Sequence, residues 1–314
     1  TAGVRVTVVE KKTDVGAKVH TTGIIVKDAV DQIALLDSLP AHLVRRITGV
    51  RLYAPNLKFV DLAAPGYYFL ATDTPNVMRW LAAATEHAGA KLALGATFTG
   101  MQRERSGFAL AGLGSARYVI GADGPRSKVA RSAGLGTNER FLAGVEHEFA
   151  DVTIADSDEL HCFIDRRIAP GYIAWVLAGV GGVQAGVARR AASGEPKGWR
   201  PDEAVAAFLA KIAPVIDLRD ARPSSVRAGL IPCGGVVRPV AASRVLLVGD
   251  AAGMVSPVTA GGIHTALTET AFQPVIGVTA YAPLIEERSL VAFLAWPPAA
   301  VRLAGLHHTP PARR

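Results

Sequence analysis

The stretch SRVLLVGDAAGMVSPVTAGGIHTAL, from Ser243 to Leu267, restricts the fold of this chain more than any other feature. Val245 to Val248 form an apolar run typical of a buried strand, and Asp250 stands just after its end. Small residues and a proline follow, and a double glycine leads into a helix predicted to start near Ile263. This order is typical of α/β proteins that bind ligands at the carboxyl ends of their strands.

The same stretch carries groups suited to a flat or extended cofactor. Glycines at a helix start expose N–H groups with a partial positive charge, which suit a ring that gains negative charge on reduction. Asp250 can accept hydrogen bonds from sugar or ribityl hydroxyls. A glycine-rich loop that only closes a strand–helix unit is the alternative interpretation. The candidate binding residues here are Gly249, Asp250, Pro257, Gly261, Gly262 and Ile263.

A second stretch, YVIGADGPRSKVARSAGL from Tyr118 to Leu135, has the same strand–turn–helix order. Gly124 permits a positive φ and a close approach of the backbone to a ligand, and Asp123 is predicted at the carboxyl end of the strand. The helix start supplies N–H groups for an anion. An Asp-Gly turn of this kind is more often purely structural, so both interpretations stay open.

The opening stretch VRVTVVEKK, from Val4 to Lys12, is typical of a buried strand that ends on an acid, Glu10. In dinucleotide-binding βαβ units such an acid follows a G-x-G-x-x-G loop by about 20 residues. Only nine residues precede Glu10, so we expect the first strand and the glycine loop to be missing from this sequence. A fragment of a longer gene product is favoured over a decayed paralogue. An ordinary edge strand with a surface glutamate is the simpler interpretation.

Composition narrows the class of protein. Half of the 314 residues are apolar, which allows a large core in one big domain or two interleaved ones. The net charge of +7 is scattered along the chain, so we expect an anionic cofactor or substrate rather than nucleic acid. The two cysteines lie far apart and the eight histidines are dispersed, which favours neither a disulfide framework nor a metal site and fits the cytoplasm. No apolar run is long enough to span a membrane.

The α/β pattern flanks a β-rich middle, as expected when one domain is inserted into another. Thr74 and Pro75 are predicted as the N-cap and first residue of a helix that stops at Gly89, and Pro201 to Ile212 as another helix. The sequence thus predicts a mixed fold, α/β in part and α+β overall. The predicted divisions are a discontinuous α/β domain at 1–48, 72–140 and 240–275, a β-rich domain at 49–71 and 141–239, and a C-terminal extension at 276–314.

In their order, Glu10, GADGPRSKVAR and VGDAAGMVSPVTAGGIHTAL resemble the FAD-dependent group that includes para-hydroxybenzoate hydroxylase and the geranylgeranyl reductases. The reductases are the closer likeness. PGYIAWV at 170–176 is similar to their aromatic motif in the substrate domain, and GLIPCGG at 229–235 resembles the segment before their last flavin strand. The likeness covers about Val4 to Leu267. It implies a Rossmann-like FAD-binding domain with an interleaved antiparallel β-sheet substrate domain.

The resemblance implies a place for each motif along the cofactor. Glu10, with Lys11 beside it, would bind the adenosine ribose. Asp123 and Gly124 would lie near the FAD pyrophosphate. Asp250 would contact the ribityl chain or the pyrophosphate.

At the flavin end, the backbone at 261–263 would face the pyrimidine side of the ring. KVHTTGI at 18–24 resembles the loop that passes the isoalloxazine in the reductases, which makes Thr22 and Gly23 binding residues. Relatives often carry a cysteine in this loop where the present chain has Thr21, so we expect no thiol chemistry there.

By resemblance, the chain is an FAD-dependent oxidoreductase that reduces isoprenoid or polyprenyl double bonds with electrons from NAD(P)H or ferredoxin, with at most peripheral membrane contact. A flavin monooxygenase on the same scaffold is one alternative. A non-catalytic remnant that binds a lipid or a partner is the other. Tyr172 and Trp175 would line the substrate cavity, although Trp175 could equally belong to the core under the sheet. No residue is nominated as a general acid or base.

Overall fold

Short apolar strands alternate with amphipathic helices along the chain, and this alternation sets the architecture. The computed structural model describes residues 4–191, 198–256, 259–263 and 265–267, and the backbone of 289–294. The helices are α1 (Lys27–Gln32), α2 (Thr74–His87), α3 (Lys128–Ala133) and α4 (Pro201–Ile212). The strands are β1 (Arg5–Glu10), β2 (Ile24–Val26), β3 (Val44–Ile47), β4 (Gly49–Tyr53), β5 (Phe59–Leu62), β6 (Phe69–Thr72), β7 (Lys91–Leu94), β8 (Met101–Glu104), β9 (Gly107–Leu110), β10 (Gly114–Ala116), β11 (Tyr118–Ala122), β12 (Phe141–Ala150), β13 (Glu159–Phe163), β14 (Ala174–Ala178), β15 (Gly182–Ala191), β16 (Ser225–Pro232), β17 (Ala241–Ala242), β18 (Val245–Leu247) and β19 (Ser289–Leu294).

A six-stranded sheet in the order β17-β18-β11-β19-β1-β7 carries the sequence motifs. All of its neighbouring strands are parallel except β17, which is antiparallel to β18. The carboxyl ends of parallel strands meet at one edge of a sheet. Glu10, Asp123 and Asp250, which end or follow β1, β11 and β18, therefore lie along the edge where open α/β sheets bind ligands.

The centre of this sheet is formed by β19, which comes from the predicted C-terminal extension. It pairs with β1 through Val6 and Leu290 and with β11 through Val119 and Val291. The structure thus differs from the prediction for residues 276–314, because six of them complete the α/β sheet. β1 and β11 leave room for one strand between them, and the apolar run LVAFL suits a position flanked by strands on both sides.

A seven-stranded sheet in the order β16-β12-β15-β14-β13-β4-β5 forms the β-rich part. One face packs against α4, where Val205, Phe208 and Ile212 are fully buried with Val145 and Val176. Side chains alternate between the two faces of a strand, and residues directly opposite each other on neighbouring strands point to the same face. Such residues therefore form rows across the sheet. The α/β class with a Rossmann-like domain is confirmed, and the second sheet is antiparallel except for the parallel pair of β13 and β4. One row on the face away from α4 runs through Arg227, Glu146, Gly186, Trp175 and Cys162.

Two smaller sheets complete the described part of the fold. β8, β9 and β10 form a meander, and β6 lies between β2 and β3. Ile47 and Ala71 of the second small sheet pack on Leu177 of β14, so this sheet rests on the large one. β6 crosses the predicted domain boundary after residue 71.

Helix α2 shows a local difference from the sequence interpretation. Its N-cap is Asp73, whose carboxylate accepts a hydrogen bond from the Asn76 N–H at 3.3 Å, and Thr74 is the first helical residue. Thr74 was predicted as the cap, but its hydroxyl is buried and bonds Thr72 and the Thr22 carbonyl instead. The prediction of α4 is confirmed at both ends. Across the described part of the chain, none of the helices combines the length and apolar character needed to cross a membrane.

Candidate functional site

The turn after β18 depends on glycine. Gly249–Ala252 form a 3-10 helix, and Gly249 and Gly253 have φ values of +56° and +71° in the left-handed region. A Cβ on Gly253 would lie 2.4 Å from the carbonyl oxygen of Gly235, so only glycine fits there. The chain therefore turns sharply where β18 ends. Pro257, one of the predicted binding residues, lies outside the described residues.

Asp250 and Gly262 face each other across this turn. A Cβ on Gly262 would lie 3.0 Å from Asp250 Oδ1, so a side chain there would fill the space beside the carboxylate. Residues 262, 263 and 265–267 are helical. The N–H groups of Gly262 and Ile263 belong to the first turn, where a helix offers no carbonyl to bond them. The described residues between Gly249 and Ile263 are called the cradle below.

The Asp250 carboxylate is the one ionisable group of the cradle. Burial raises its pKa to about 6, with no hydrogen bond or charge from the described residues acting against the shift. Its backbone carbonyl accepts a hydrogen bond from Asn138 Nδ2 at 2.8 Å, which fixes the residue while the carboxylate remains available. A partly buried acceptor to which no described side chain donates suits a ligand that brings hydroxyl groups.

Asp250→Asn is expected to remove a pH dependence of stability. The pKa of Asp250 in the folded chain, about 6, lies above the usual value of about 4, so its contribution is present below about pH 4 and is lost as the pH rises through 6. The variant should match the wild type at about pH 4 and exceed it by about 2 to 3 kcal/mol at about pH 8. Urea unfolding of the flavin-free chain measures this difference, and parallel pH curves for the two proteins would contradict it.

A cavity of about 170 Å³ lies between the cradle and α3. Asn138 joins its walls, since Nδ2 donates to the carbonyls of Pro125 at 3.1 Å and of Asp250 at 2.8 Å. Two arginines in its lining, Arg126 and Arg131, make this cavity suitable for an anion. Its lining consists of Pro125, Arg126, Ser127, Arg131, Thr137, Asn138 and Ala251.

The structure uses the Asp123 side chain inside the protein. Its carboxylate accepts hydrogen bonds from Ser127 Oγ at 2.5 Å and from the N–H groups of Lys128 and Val129 at 2.6 and 3.1 Å. These contacts cap the start of α3, as the structural interpretation of the Asp-Gly turn predicts. Gly124 has a φ of +83°, so the turn needs glycine. A contact of this turn with a pyrophosphate stays a prediction, and it would fall to the backbone of Gly124.

Glu10 ends β1 as predicted and is nearly buried, with 8% of its surface exposed. Its Oε1 accepts a hydrogen bond from the Lys12 N–H at 2.9 Å, and within the described part of the chain no residue donates to Oε2. The Lys11 side chain is exposed. A ribose contact of Glu10 and Lys11 stays a prediction.

Two buried threonines hydrogen-bond the backbone of the loop that contains Thr22 and Gly23. Thr72 Oγ1 donates to the Gly23 carbonyl at 2.8 Å, and Thr74 Oγ1 donates to the Thr22 carbonyl at 3.3 Å. Gly23 has a φ of +81°, and a Cβ there would lie 1.9 Å from Thr74 Oγ1. Ile25, two residues farther on, belongs to the same buried cluster as Ile263 and Leu267 of the cradle helix. The loop therefore lies close to the cradle.

Residues that the sequence interpretation did not single out also form hydrogen bonds with this loop. Thr22 Oγ1 donates to Glu146 Oε2 at 2.5 Å, and Arg227 Nη1 donates to the Thr21 carbonyl at 2.9 Å. Glu146 and Arg227 are 4% and 5% exposed. Burial raises the pKa of Glu146, and the charge of Arg227 offsets part of that effect. An acid in the apolar alternation of GVEHEFADVTI was the available signal, but its partners could not be read from the sequence.

Trp175 lies on the sheet face that meets this loop. Its indole Nε1 donates to Glu146 Oε2 at 2.9 Å, and its ring lies against Gly186, where a Cβ would be 2.3 Å from the ring. The ring is half-buried and lies on the sheet face away from α4. Tyr172 is also half-buried, and burial raises the pKa of its phenol, which keeps it neutral. A substrate contact of either residue stays a prediction.

The residues present fit the flavin half of FAD. The cradle offers backbone N–H groups, an available carboxylate and no side chain at Gly262, and arginines line the adjoining cavity. The sequence after β19 does not match a glycine-rich phosphate loop. AWPPAA at 295–300 contains two prolines and no glycine. The fold and the cradle together define an FAD-binding flavoprotein of the oxidoreductase class.

Comparisons with known proteins agree with this class. Residues 1–272 match the family described as "FAD binding domain". Digeranylgeranylglycerophospholipid reductase 2 of Methanosphaera stadtmanae is 26% identical over 88% of this chain and 72% of its own length. The digeranylgeranylglycerophospholipid reductase of Methanosarcina acetivorans is 29% identical over 84% of this chain and 67% of its own. The chain belongs to this FAD-binding family, as an FAD-dependent oxidoreductase that is similar to the digeranylgeranylglycerophospholipid reductases.

Solved structures show the same fold. A geranylgeranyl bacteriochlorophyll reductase-like protein from Thermoplasma acidophilum has a TM-score of 0.72 at 20% identity, over 91% of this chain and 83% of that one. The p-nitrophenol 4-monooxygenase PnpA from Pseudomonas putida has a TM-score of 0.63 at 17% identity, over 92% and 78% of the two chains. One architecture thus occurs in proteins named for reduction and for oxygenation.

Proposed function

We propose that this chain reduces carbon–carbon double bonds of an isoprenoid or polyprenyl substrate, with FAD as its redox cofactor. The single observation that carries the proposal is the loop of Thr21, Thr22 and Gly23, which lies between the cradle side and the Trp175 face of the large sheet. The relatives named digeranylgeranylglycerophospholipid reductase support the class of substrate. Bound FAD would supply hydride transfer, and the protein would supply position and a dry site.

The chain's own residues would divide this work between the two ends of the flavin. The first-turn N–H groups of Gly262 and Ile263 would stabilise negative charge on the ring, and Asp250 would accept hydrogen bonds from ribityl hydroxyls. On the substrate side, the half-buried rings of Tyr172 and Trp175 would pack against a hydrocarbon chain. The electron donor would be NAD(P)H or ferredoxin, and a lipid substrate would require peripheral contact with a membrane.

The test is product formation by the chain reconstituted with FAD. Chemically reduced flavoprotein, mixed without oxygen with an unsaturated geranylgeranyl lipid, should yield products heavier by one H₂ per double bond, detected by mass spectrometry. The same mixture exposed to oxygen should give no product heavier by an oxygen atom. A hydroxylated product would instead support the monooxygenase that PnpA exemplifies, and failure to take up FAD would support a non-catalytic remnant.

A pair of glycine variants separates a specific flavin site from general damage. Gly262→Val would place methyl groups beside Asp250 Oδ1 and should abolish FAD uptake and reduction. Gly100→Val is the matched control, because its Cβ would meet nothing within 4 Å. Equal FAD uptake by both variants would show that the cradle does not hold the flavin.

A further inference from the structure

One carboxylate oxygen joins the two sides of the proposed site. Glu146 Oε2 accepts a hydrogen bond from Thr22 Oγ1 at 2.5 Å and another from Trp175 Nε1 at 2.9 Å. The first donor sits on the loop near the cradle, and the second sits on the substrate-domain sheet. Because one oxygen serves both donors, a shift of either donor changes the geometry and strength of the other bond.

The Glu146 carboxylate has little freedom to absorb such a shift by itself. It is 4% exposed, and Arg227 Nη1 lies 3.5 Å from its other oxygen. Arg227 is fixed in turn, since Nη2 donates to Glu148 Oε2 at 2.9 Å and Nη1 to the Thr21 carbonyl at 2.9 Å. A buried, charge-paired carboxylate cannot exchange its donors for water without a large desolvation cost. Movement at one donor is therefore passed to the other.

The two donors differ in their surroundings. Thr22 lies on a fixed loop, whereas the Trp175 ring is partly open to a ligand, so a signal would start at Trp175. The Thr22 and Gly23 carbonyls are bonded by the buried hydroxyls of Thr74 and Thr72, so the loop has a fixed rest position. Trp175 is half-buried and lies across Gly186, which gives its ring space parallel to the sheet and leaves part of it open to a neighbour. A ligand against the indole would tilt the ring and pull on Glu146.

We propose that Glu146 is a positioning residue that couples the Trp175 indole to the Thr21–Gly23 loop. A ligand in the apolar substrate site would then change the surroundings of the flavin. The coupling itself concerns only residues of this chain. Its effect on the flavin rests on the proposed function, which places the loop beside the isoalloxazine.

The coupling is tested first in the flavin-free chain by the indole N–H resonances in ¹H–¹⁵N spectra. The Trp175 resonance, assigned by its loss in Trp175→Phe, should move in Thr22→Val, which replaces the hydroxyl with a methyl group, and stay in place in Thr22→Ser, which keeps the hydroxyl. Glu146→Gln should also move it. The Trp199 resonance is the internal control, because that indole packs on the α4 side of the sheet. A Trp175 resonance that ignores Thr22→Val and Glu146→Gln would overturn the proposal.

A second experiment measures whether the coupling changes FAD affinity and the visible flavin spectrum. Trp175→Phe keeps an aromatic ring and loses the N–H, and it should raise the Kd of FAD about tenfold because the Glu146 carboxylate, with one donor fewer, is fixed less firmly against Thr22. In a Glu146→Gln background the same change should have no further effect on that Kd. Independent effects of the two substitutions would overturn the proposal. Geranylgeraniol added to the FAD-loaded wild type should shift the visible flavin spectrum, and this shift should vanish in Thr22→Val.

The two experiments also separate this proposal from the proposed function. A wild-type chain that takes up no FAD would contradict the proposed function alone, and the indole resonances would still decide the coupling. A chain that reduces the lipid while its Trp175 resonance ignores Thr22→Val would leave the proposed function standing and refute the coupling.

Discussion

Gly23→Ala is expected to lower the free energy of unfolding by about 2 to 5 kcal/mol and to weaken FAD binding. The backbone φ of +81° costs alanine about 1 to 2 kcal/mol. The new Cβ would lie 1.9 Å from Thr74 Oγ1 and 2.4 Å from Thr72 Oγ1, and overpacking of this kind costs a further 1 to 3 kcal/mol or so. Neither threonine can turn away without breaking its bond to the loop. Urea unfolding measures the loss.

Gly66→Ala is the matched control for this experiment. Gly66 has a similar φ of +75°, but an added Cβ there would meet nothing within 4 Å. It should therefore lose only the conformational part, about 1 to 2 kcal/mol, and keep its FAD affinity. Equal losses in the two variants would mean that the threonines do not clamp the loop.

Arg227→Met is the second substitution with a large expected effect, a loss of about 3 to 5 kcal/mol at neutral pH. Methionine keeps most of the apolar volume but leaves Glu146 and Glu148 without their shared counter-charge and the Thr21 carbonyl without its donor. Burial already raises the pKa of Glu146, and loss of the arginine raises it further. A raised carboxyl pKa means stability that is lost as the pH rises. The deficit should therefore be larger at about pH 8 than at about pH 5.

Two comparisons identify the cause of this loss. The double variant Glu146→Gln with Arg227→Met removes both charges and should recover a large part of the stability lost by Arg227→Met alone. Arg219→Met breaks an exposed pair with Asp217 and should leave the unfolding curve unchanged within error. An Arg227→Met deficit that is small, or that does not vary with pH, would show that Glu146 is not held as a buried anion.

The residues near each motif were accessible to prediction because their structure depends on close neighbours. The apolar run and small residues after it predicted the turn at Gly249, and Pro201 to Ile212 predicted α4 at both ends. The prediction of Thr74 as a cap was wrong, since two adjacent residues could both serve and the tertiary contact to Thr22 decided between them. Asp123 could likewise serve a ligand or its own helix, and the helix uses it.

Contacts between residues that lie far apart in the sequence could not be predicted from the sequence. Nothing in the alternation of β12 shows that Glu146 meets Thr22, 124 positions away, or that Arg227 reaches Thr21 over 206 positions. The place of β19 at the centre of the parallel sheet is of the same kind, because strand order depends on which backbone edges are left to pair.

By itself, the sequence determined that this chain has an FAD-type α/β sheet with a glycine turn and an acid at its ligand-binding edge. Those features follow from the conformations glycine permits and from the burial that apolar runs require. Only the tertiary structure decided that Glu146, on the inserted sheet, bonds both Thr22 and Trp175. A buried carboxylate takes whichever donors the packing brings within reach, and that packing is set by the whole chain.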